Sequence, residues 1–169
     1  LEGKAAATKE VFDEWVSDPS APVPHRAGYG LENDGEYMAA DQRFASRRPD
    51  VKSYLTPPLT EDVTLAGPLT ADVWLSTTGT DADVVVKLID VLPFDAPNGP
   101  NGAKLGGAHV LVRAEVMRGR FRDGFEAPKA FTPGAPSRVR FTLPDVHYPF
   151  RLGHRVMVQV QSSWFPLVD

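Results

Sequence analysis

From about residue 51 onward, apolar and polar residues alternate with a period of two, as in β-strands that have one buried and one solvent-facing side. Together with runs rich in β-branched and aromatic residues, this pattern predicts strands near residues 72–77, 84–91, 109–117, 138–143 and 155–161. In the fourth segment the polar residues are expected outside and the apolar residues inside. In the third segment the pattern predicts a buried side formed by Val110, Val112, Ala114 and Val116. In the last, Val156, Val158 and Val160 are expected to face the core, and Arg155, Met157, Gln159 and Gln161 to face solvent.

Turn signals separate these segments. Glycine and proline number 14 and 16 of 169 residues, about 18% against a usual total near 12%. Pairs such as Pro57-Pro58, Asn98-Gly99 and Pro133-Gly134 lie between the predicted strands. Many short antiparallel strands without a long helix predict an all-β fold, either a β-sandwich or a jelly roll.

The first 50 residues have no sustained period, and we call residues 1–50 the arm. Within the arm, the spacing of Val11, Phe12 and Trp15 predicts a short amphipathic helix. Three prolines at positions 19, 22 and 24 must end it, and residues 26–41 are expected to be irregular. We expect the arm to pack along the β-domain, residues 51–169, rather than fold by itself.

Charge and composition exclude several function classes. A net charge of −4 argues against nucleic acid as a partner, and no apolar run is long enough to predict a membrane-spanning helix. The chain has no cysteine, which suits an oxidising or a reducing compartment, so localisation stays open. It also lacks a Gly-x-Ser-x-Gly nucleophile elbow and a His-Glu-x-x-His zinc motif. We therefore predict no catalytic residue, no metal ligand and no cofactor in this chain.

One acidic pair qualifies the absence of a metal site. Asp81 and Asp83 stand two residues apart in a predicted loop, and paired carboxylates are ligands that calcium accepts. The alternative is that they accept backbone N–H bonds in a turn or pair with arginine. An EF-hand is excluded, because position 85 is Val.

Aromatic residues mark two further positions. Trp74 lies within a predicted strand, and Trp164-Phe165-Pro166 follows the clearest strand. Adjacent residues of an extended chain point to opposite faces. One of Trp164 and Phe165 is therefore expected to face outward, as part of an interface or ligand wall, unless the arm covers both.

Several motifs resemble, in order and spacing, the C-terminal domain of the X-Pro dipeptidyl-peptidase family. The resemblance is greatest to the branch that contains α-amino acid ester hydrolases, glutaryl acylases and cocaine esterases. It extends from about residue 12 to the last residue. The motifs that carry it are Asp41-Gln42-Arg43-Phe44-Ala45 through Val51, Ser76-Thr77-Thr78-Gly79-Thr80-Asp81-Ala82-Asp83, and Gly153-His154-Arg155-Val156 through Pro166.

The resemblance implies a galactose-binding-like jelly roll that is not itself catalytic. Its partner would be the α/β-hydrolase domain of the same parent chain, where the Ser-Asp-His triad resides and acyl esters or amides are hydrolysed. The jelly roll would pack on that domain and help shape the entrance of the active site. By position, Trp74 would line the substrate pocket, and Trp164 and Phe165 would lie near the domain interface.

Two alternatives remain beside this interpretation. Family members continue past residue 169 with at least one further strand, so we expect an open sheet edge that the arm or a second copy in a homo-oligomer covers. The competing function is a stand-alone carbohydrate- or ligand-binding β-sandwich, with calcium at Asp81 and Asp83.

Overall fold

The regular secondary structure of the described residues consists almost entirely of antiparallel strands, as the sequence predicts. The structure, a computed structural model, describes residues 11–27, 38 and 40–168. Within these residues, one four-residue helix and two single 3-10 turns, at Pro100–Gly102 and Gly119–Phe121, accompany the strands. The helix is α1 Arg43–Ser46, and the strands are β1 Lys52–Leu55, β2 Val63–Leu75, β3 Asp83–Val91, β4 His109–Arg118, β5 Ser137–Phe150 and β6 Arg155–Gln161.

The strands form two sheets that pack face to face. The described strands of the larger sheet have the order β1-β6-β3-β4, and β2 pairs with β5 in the smaller sheet. All strand pairs are antiparallel. The main core between the sheets contains Ala71, Val84, Val86, Phe131, Val139, Phe141, Leu143 and Val160. The fold is therefore an all-β sandwich, whereas the jelly-roll connectivity stays a prediction.

Strand β5 confirms the alternation that its sequence indicates. Val139, Phe141 and Leu143 are buried, and the residues between them are exposed. Because the inner side chains pack against β2 and the larger sheet, the other side of the smaller sheet stays polar and open to solvent.

The predicted buried side of β4 is correct at Val112 but wrong at Ala114 and Val116, because the pairing of β3 with β4 contains a bulge. The register changes between Leu88 and Ile89, where Leu88 lies opposite Arg113 and Ile89 opposite Leu111. One extra residue on β4, Val112, is accommodated there and belongs to the core. Beyond the bulge the faces are exchanged, and Met117 rather than Val116 packs against the main core.

The arm differs from the prediction in two ways. Residues 11–18 are not helical, so the helix expected from Val11, Phe12 and Trp15 is wrong. Most of the segment 26–41 lies outside the described residues. The described parts of the arm cover the outer face of the larger sheet, where Val23 and Ala45 form a small cluster with Val51.

This cover also corrects the prediction for β6. Gln159 and Gln161 were expected to face solvent, yet both are fully buried, and Met157 is buried as well. The alternation correctly separates the two sides of β6, since Val158 and Val160 pack against the main core. At Met157, Gln159 and Gln161 the side of the larger sheet that faces away from β2 and β5 is shielded from solvent, because the arm lies on it.

Candidate functional site

Trp74 lies on the outer face of the smaller sheet, with 68% of its surface exposed. Its partner in the register is Arg138, whose guanidinium binds both oxygens of the Asp72 carboxylate. The bond with Arg138 is the main reason that the pKa of Asp72 lies below its usual range. The indole therefore stands beside an ion pair on a polar surface, free to contact a second surface.

Trp164 and Phe165 lie where the chain leaves β6, next to the arm. Trp164 is buried and Phe165 is half-buried. The backbone N–H of Phe165 donates to the carbonyl of Val23, and the N–H of His25 donates to the carbonyl of Phe165, at 2.8 Å each. A parallel bridge between Pro24 and Phe165 completes this contact. Phe165 thus contacts the arm through its backbone, and Trp164 is buried next to it.

Beneath the arm lies a buried polar cluster that sequence reasoning missed. Lys87 is fully buried, and its Nζ donates to Gln42 Oε1 at 3.1 Å. The same ammonium lies 4.9 Å from the centroid of the Trp164 ring, a cation–π contact. Burial lowers the pKa of Lys87 to about 7. Gln159, opposite Lys87 in the register, adds a second buried amide.

A detectable signal for this cluster does exist in the sequence. Lys87 interrupts the otherwise apolar run Val84-Val85-Val86 and Leu88-Ile89. A strand that is apolar on both faces is buried on both faces. A lysine within such a run must therefore be covered by another part of the chain.

The acidic pair Asp81 and Asp83 binds arginine in this structure. Asp81 Oδ2 accepts from Arg120 Nε at 2.6 Å, and Asp83 Oδ2 lies 3.2 Å from Arg118 Nε. Burial raises the pKa of Asp83, and the guanidinium of Arg118 offsets part of that rise. Among the described residues, no group of three or more histidine, aspartate or glutamate side chains is placed to hold a metal ion.

A second buried polar group joins the two sheets near the other end of β6. The Asp90 carboxylate accepts from Tyr148 Oη at 2.9 Å and lies 2.9 Å from His154 Nδ1. Burial, followed by the bond to Asp90, raises the pKa of Tyr148. His154 lies directly before the first residue of β6. The group has the Asp–His pair of a catalytic triad, but the third member is a tyrosine bonded to the carboxylate rather than a serine at the imidazole.

An apolar cleft of about 300 Å³ opens between the two sheets along β2. Among the described residues β2 pairs only with β5, so its other edge has no partner strand there. The cleft is lined mainly by aliphatic side chains of β2, β3, β5 and β6, among them Leu65, Leu69, Val73, Leu88, Leu143 and Val158.

Comparison with known proteins places the sandwich in a class of domains that accompany hydrolases. The family model described as the X-Pro dipeptidyl-peptidase C-terminal non-catalytic domain matches residues 4–169. The chain belongs to this family. It is thus a non-catalytic C-terminal domain, and the alternative of a stand-alone binding module is not favoured.

Three relatives illustrate the match. Cocaine esterase from Rhodococcus sp. (strain MB1 Bresler) is 32% identical over 160 residues, which are 95% of this chain and 26% of that protein. A crystal structure of an aminopeptidase from the marine sediment archaeon Thaumarchaeota archaeon is 45% identical, with a TM-score of 0.86 over 96% of this chain and 27% of that one. A selenomethionine-labelled α-amino acid ester hydrolase is 42% identical, with a TM-score of 0.88 over 97% of this chain and 27% of that one. The chain thus spans about a quarter of the length of each relative.

The described residues contain no helix that is both long enough and apolar enough to cross a membrane.

Proposed function

We propose that this domain packs on an α/β-hydrolase domain of the same polypeptide and helps to shape the entrance of its active site. The observation that carries the proposal is the family match over residues 4–169, together with relatives that are about four times as long and are named as hydrolytic enzymes. The triad and oxyanion hole would lie in the other domain. There the serine would form an acyl-enzyme from an ester or amide.

The names of the relatives favour one substrate class. The aminopeptidase and the α-amino acid ester hydrolase are 45% and 42% identical to this chain, against 32% for cocaine esterase. An aminopeptidase and an amino acid ester hydrolase both cleave a bond to an α-amino acyl group. We therefore propose α-amino acyl esters or amides as substrates of the whole polypeptide.

Trp74 is the proposed contribution to the pocket wall. A tryptophan that is 68% exposed on a rigid sheet offers a large apolar face at a fixed position. The Arg138–Asp72 ion pair beside it limits the directions from which an acyl group can approach.

Trp164 and Phe165 are proposed as interface residues that act through the arm. Phe165 holds the arm by two backbone hydrogen bonds, and the ring of Trp164 contacts the buried ammonium of Lys87. Replacing either residue would therefore change where the arm runs, and with it the surface presented to the catalytic domain.

The division into an arm (1–50) and a β-domain (51–169) also stays a proposal. The edge of β2 beside the apolar cleft, which has no partner among the described strands, is the place where a second copy of this chain would pair. Light scattering after size-exclusion chromatography tests pairing between copies. A dimer that dissociates on dilution supports it, and a monomer at all concentrations refutes it.

The proposed function is tested by comparing the whole polypeptide with residues 1–169 alone. The whole polypeptide should hydrolyse amino acid p-nitrophenyl esters, and the isolated domain should not. For each protein, kcat/KM is measured with a small and with a large acyl group, and the two values are expressed as a ratio. Trp74→Ala in the whole polypeptide should change this ratio by about tenfold, as loss of a pocket wall does. Phe125→Ala, at a second exposed aromatic residue, is the matched control and should leave this ratio unchanged. If Trp74→Ala and Phe125→Ala gave the same ratio, Trp74 would not be part of the pocket wall.

A further inference from the structure

The arm presents an unusual amount of apolar surface to solvent. Val11, Phe12 and Val16, which we call the arm stripe, are exposed to 91%, 74% and 81%. They lie within six residues of a segment that has no helix or strand in the structure. Single exposed apolar side chains need no explanation, whereas a group of them marks an interaction site.

The segment that carries the arm stripe is anchored to the sandwich. Trp15 packs against the main core, and its Nε1 donates to Ser162 Oγ at 3.1 Å. Two residues earlier, Asp13 Oδ2 accepts from Tyr54 Oη on β1 at 2.9 Å. Because these anchors lie between the members of the stripe, they fix the backbone while Val11, Phe12 and Val16 point away from the core.

Two other exposed apolar residues, Phe94 and Leu152, lie at a distance from the arm stripe. Leu152 precedes β6, whereas Ser162 follows it, and a seven-residue strand separates them by about 20 Å. Phe94 belongs to the same end as Leu152, because both Phe94 and Gly153 adjoin the loop that starts at Pro93. This pair, in loops at the other end of β6, therefore provides a control surface.

We propose that the arm stripe is the surface by which this domain docks onto the α/β-hydrolase domain of its own polypeptide. This inference rests on the proposed function and names the residues that would make the contact. The family consists of C-terminal domains, so a preceding domain connects to this one through the arm. That domain would reach the arm stripe before it reaches the rest of the sandwich. A tethered partner is also present at high effective concentration, so a small apolar contact is enough to hold it. Glu14 and Asp18 are exposed beside the stripe, which fits an apolar partner patch with a basic rim.

Hydrogen exchange measured by mass spectrometry on the whole polypeptide and on residues 1–169 tests the contact. Amides of residues 11–17 should exchange about tenfold more slowly in the whole polypeptide, and amides near Phe94 and Leu152 should exchange equally in both. Protection elsewhere in the domain, with none in the arm, would overturn the inference and leave the proposed function standing. If no segment of the domain gains protection, the proposed packing itself fails.

A triple variant then assigns the contact to the side chains. Val11→Ser, Phe12→Ser and Val16→Ser together, made in the whole polypeptide, should abolish the added protection of the arm. The control Phe94→Ser with Leu152→Ser should retain it. In the isolated domain the triple variant should leave Tm within about 2 °C of the wild type, because the three side chains are exposed there. Wild-type protection in the triple variant would overturn the inference.

Discussion

The buried amine of Lys87 predicts that this domain becomes more stable as the pH rises above 7. The folded-state pKa is about 7, whereas the ordinary value is 10.5. Between these two values the unfolded chain binds a proton that the folded chain does not. The free energy of unfolding must therefore increase with pH across this window. Below pH 7 both states bind the proton, and the dependence on Lys87 disappears.

The size of the effect follows from the two pKa values. The difference between about 7 and 10.5 corresponds to about 5 kcal/mol in total, at about 1.4 kcal/mol per pH unit. Between pH 7 and pH 9 alone, the free energy of unfolding should rise by about 2 kcal/mol. The contact with Trp164 and the hydrogen bond to Gln42 favour the charged amine and reduce this figure rather than reverse its sign.

Urea unfolding at pH 7, 8 and 9, followed by tryptophan fluorescence, measures this rise. Lys87→Met keeps most of the side-chain volume and removes the titrating group, so the variant should show no such rise. The absolute stability of the variant is not the readout, because Gln42 loses its donor there, at a cost of about 1–3 kcal/mol. A wild-type stability that is flat from pH 7 to 9, or the same slope in both proteins, would refute the reasoning.

Three further predictions concern the packing. Gly119→Ala should destabilise the domain by about 3 kcal/mol in urea unfolding, because a Cβ there would overlap the Ala82 carbonyl and the Phe131 ring. Gly79→Ala should be nearly neutral, because the atom nearest to the added Cβ lies at 3.8 Å. Equal effects at the two glycines would contradict this. Phe150→Ala should cost about 4 kcal/mol, because the ring is fully buried, and the exposed Phe94→Ala should cost less than about 0.5 kcal/mol. Finally, Tyr148→Phe should lower the free energy of unfolding by about 2 kcal/mol, because it removes a donor from the buried Asp90 carboxylate. Thermal melts identical to those of the wild type would show that this hydrogen bond contributes nothing to stability.

The period-two pattern predicts a strand most accurately where only one of its faces is covered. Strand β5 shows this most simply: its inner residues Val139 and Phe141 meet the core, and its outer face meets water. The predicted faces of strand β4 were wrong beyond the bulge, because the bulge exchanges the two faces of the strand. A bulge depends on how two strands pair, so the residues of one strand alone do not reveal it.

The arm was predicted least accurately, for a physical reason. The spacing of Val11, Phe12 and Trp15 allows a helix, but a short isolated helix has little stability of its own. Tertiary contacts therefore decide the conformation, and the anchors to Ser162 and Tyr54 hold the segment in a non-helical one. The same long-range contact between arm and sheet explains why Gln159 and Gln161 are buried rather than exposed.

The candidate site residues also differ in how far the sequence alone could predict them. Trp74 was marked because a tryptophan in a strand is easily recognised, and only the pairing of β2 with β5 shows that it faces outward. The Asp90–His154–Tyr148 group joins residues from three strand regions that are 58 and 64 positions apart in sequence. No local motif predicts such a group, because its geometry exists only after the two sheets have packed.

The most direct test of the account is active-site labelling with a fluorophosphonate, followed by peptide mapping. The whole polypeptide should incorporate one label on a serine that lies outside residues 1–169, and the isolated domain should incorporate none. A stoichiometric label on any serine within residues 1–169 would contradict the central claim, which is that this domain is non-catalytic and that the proposed serine nucleophile lies in another domain.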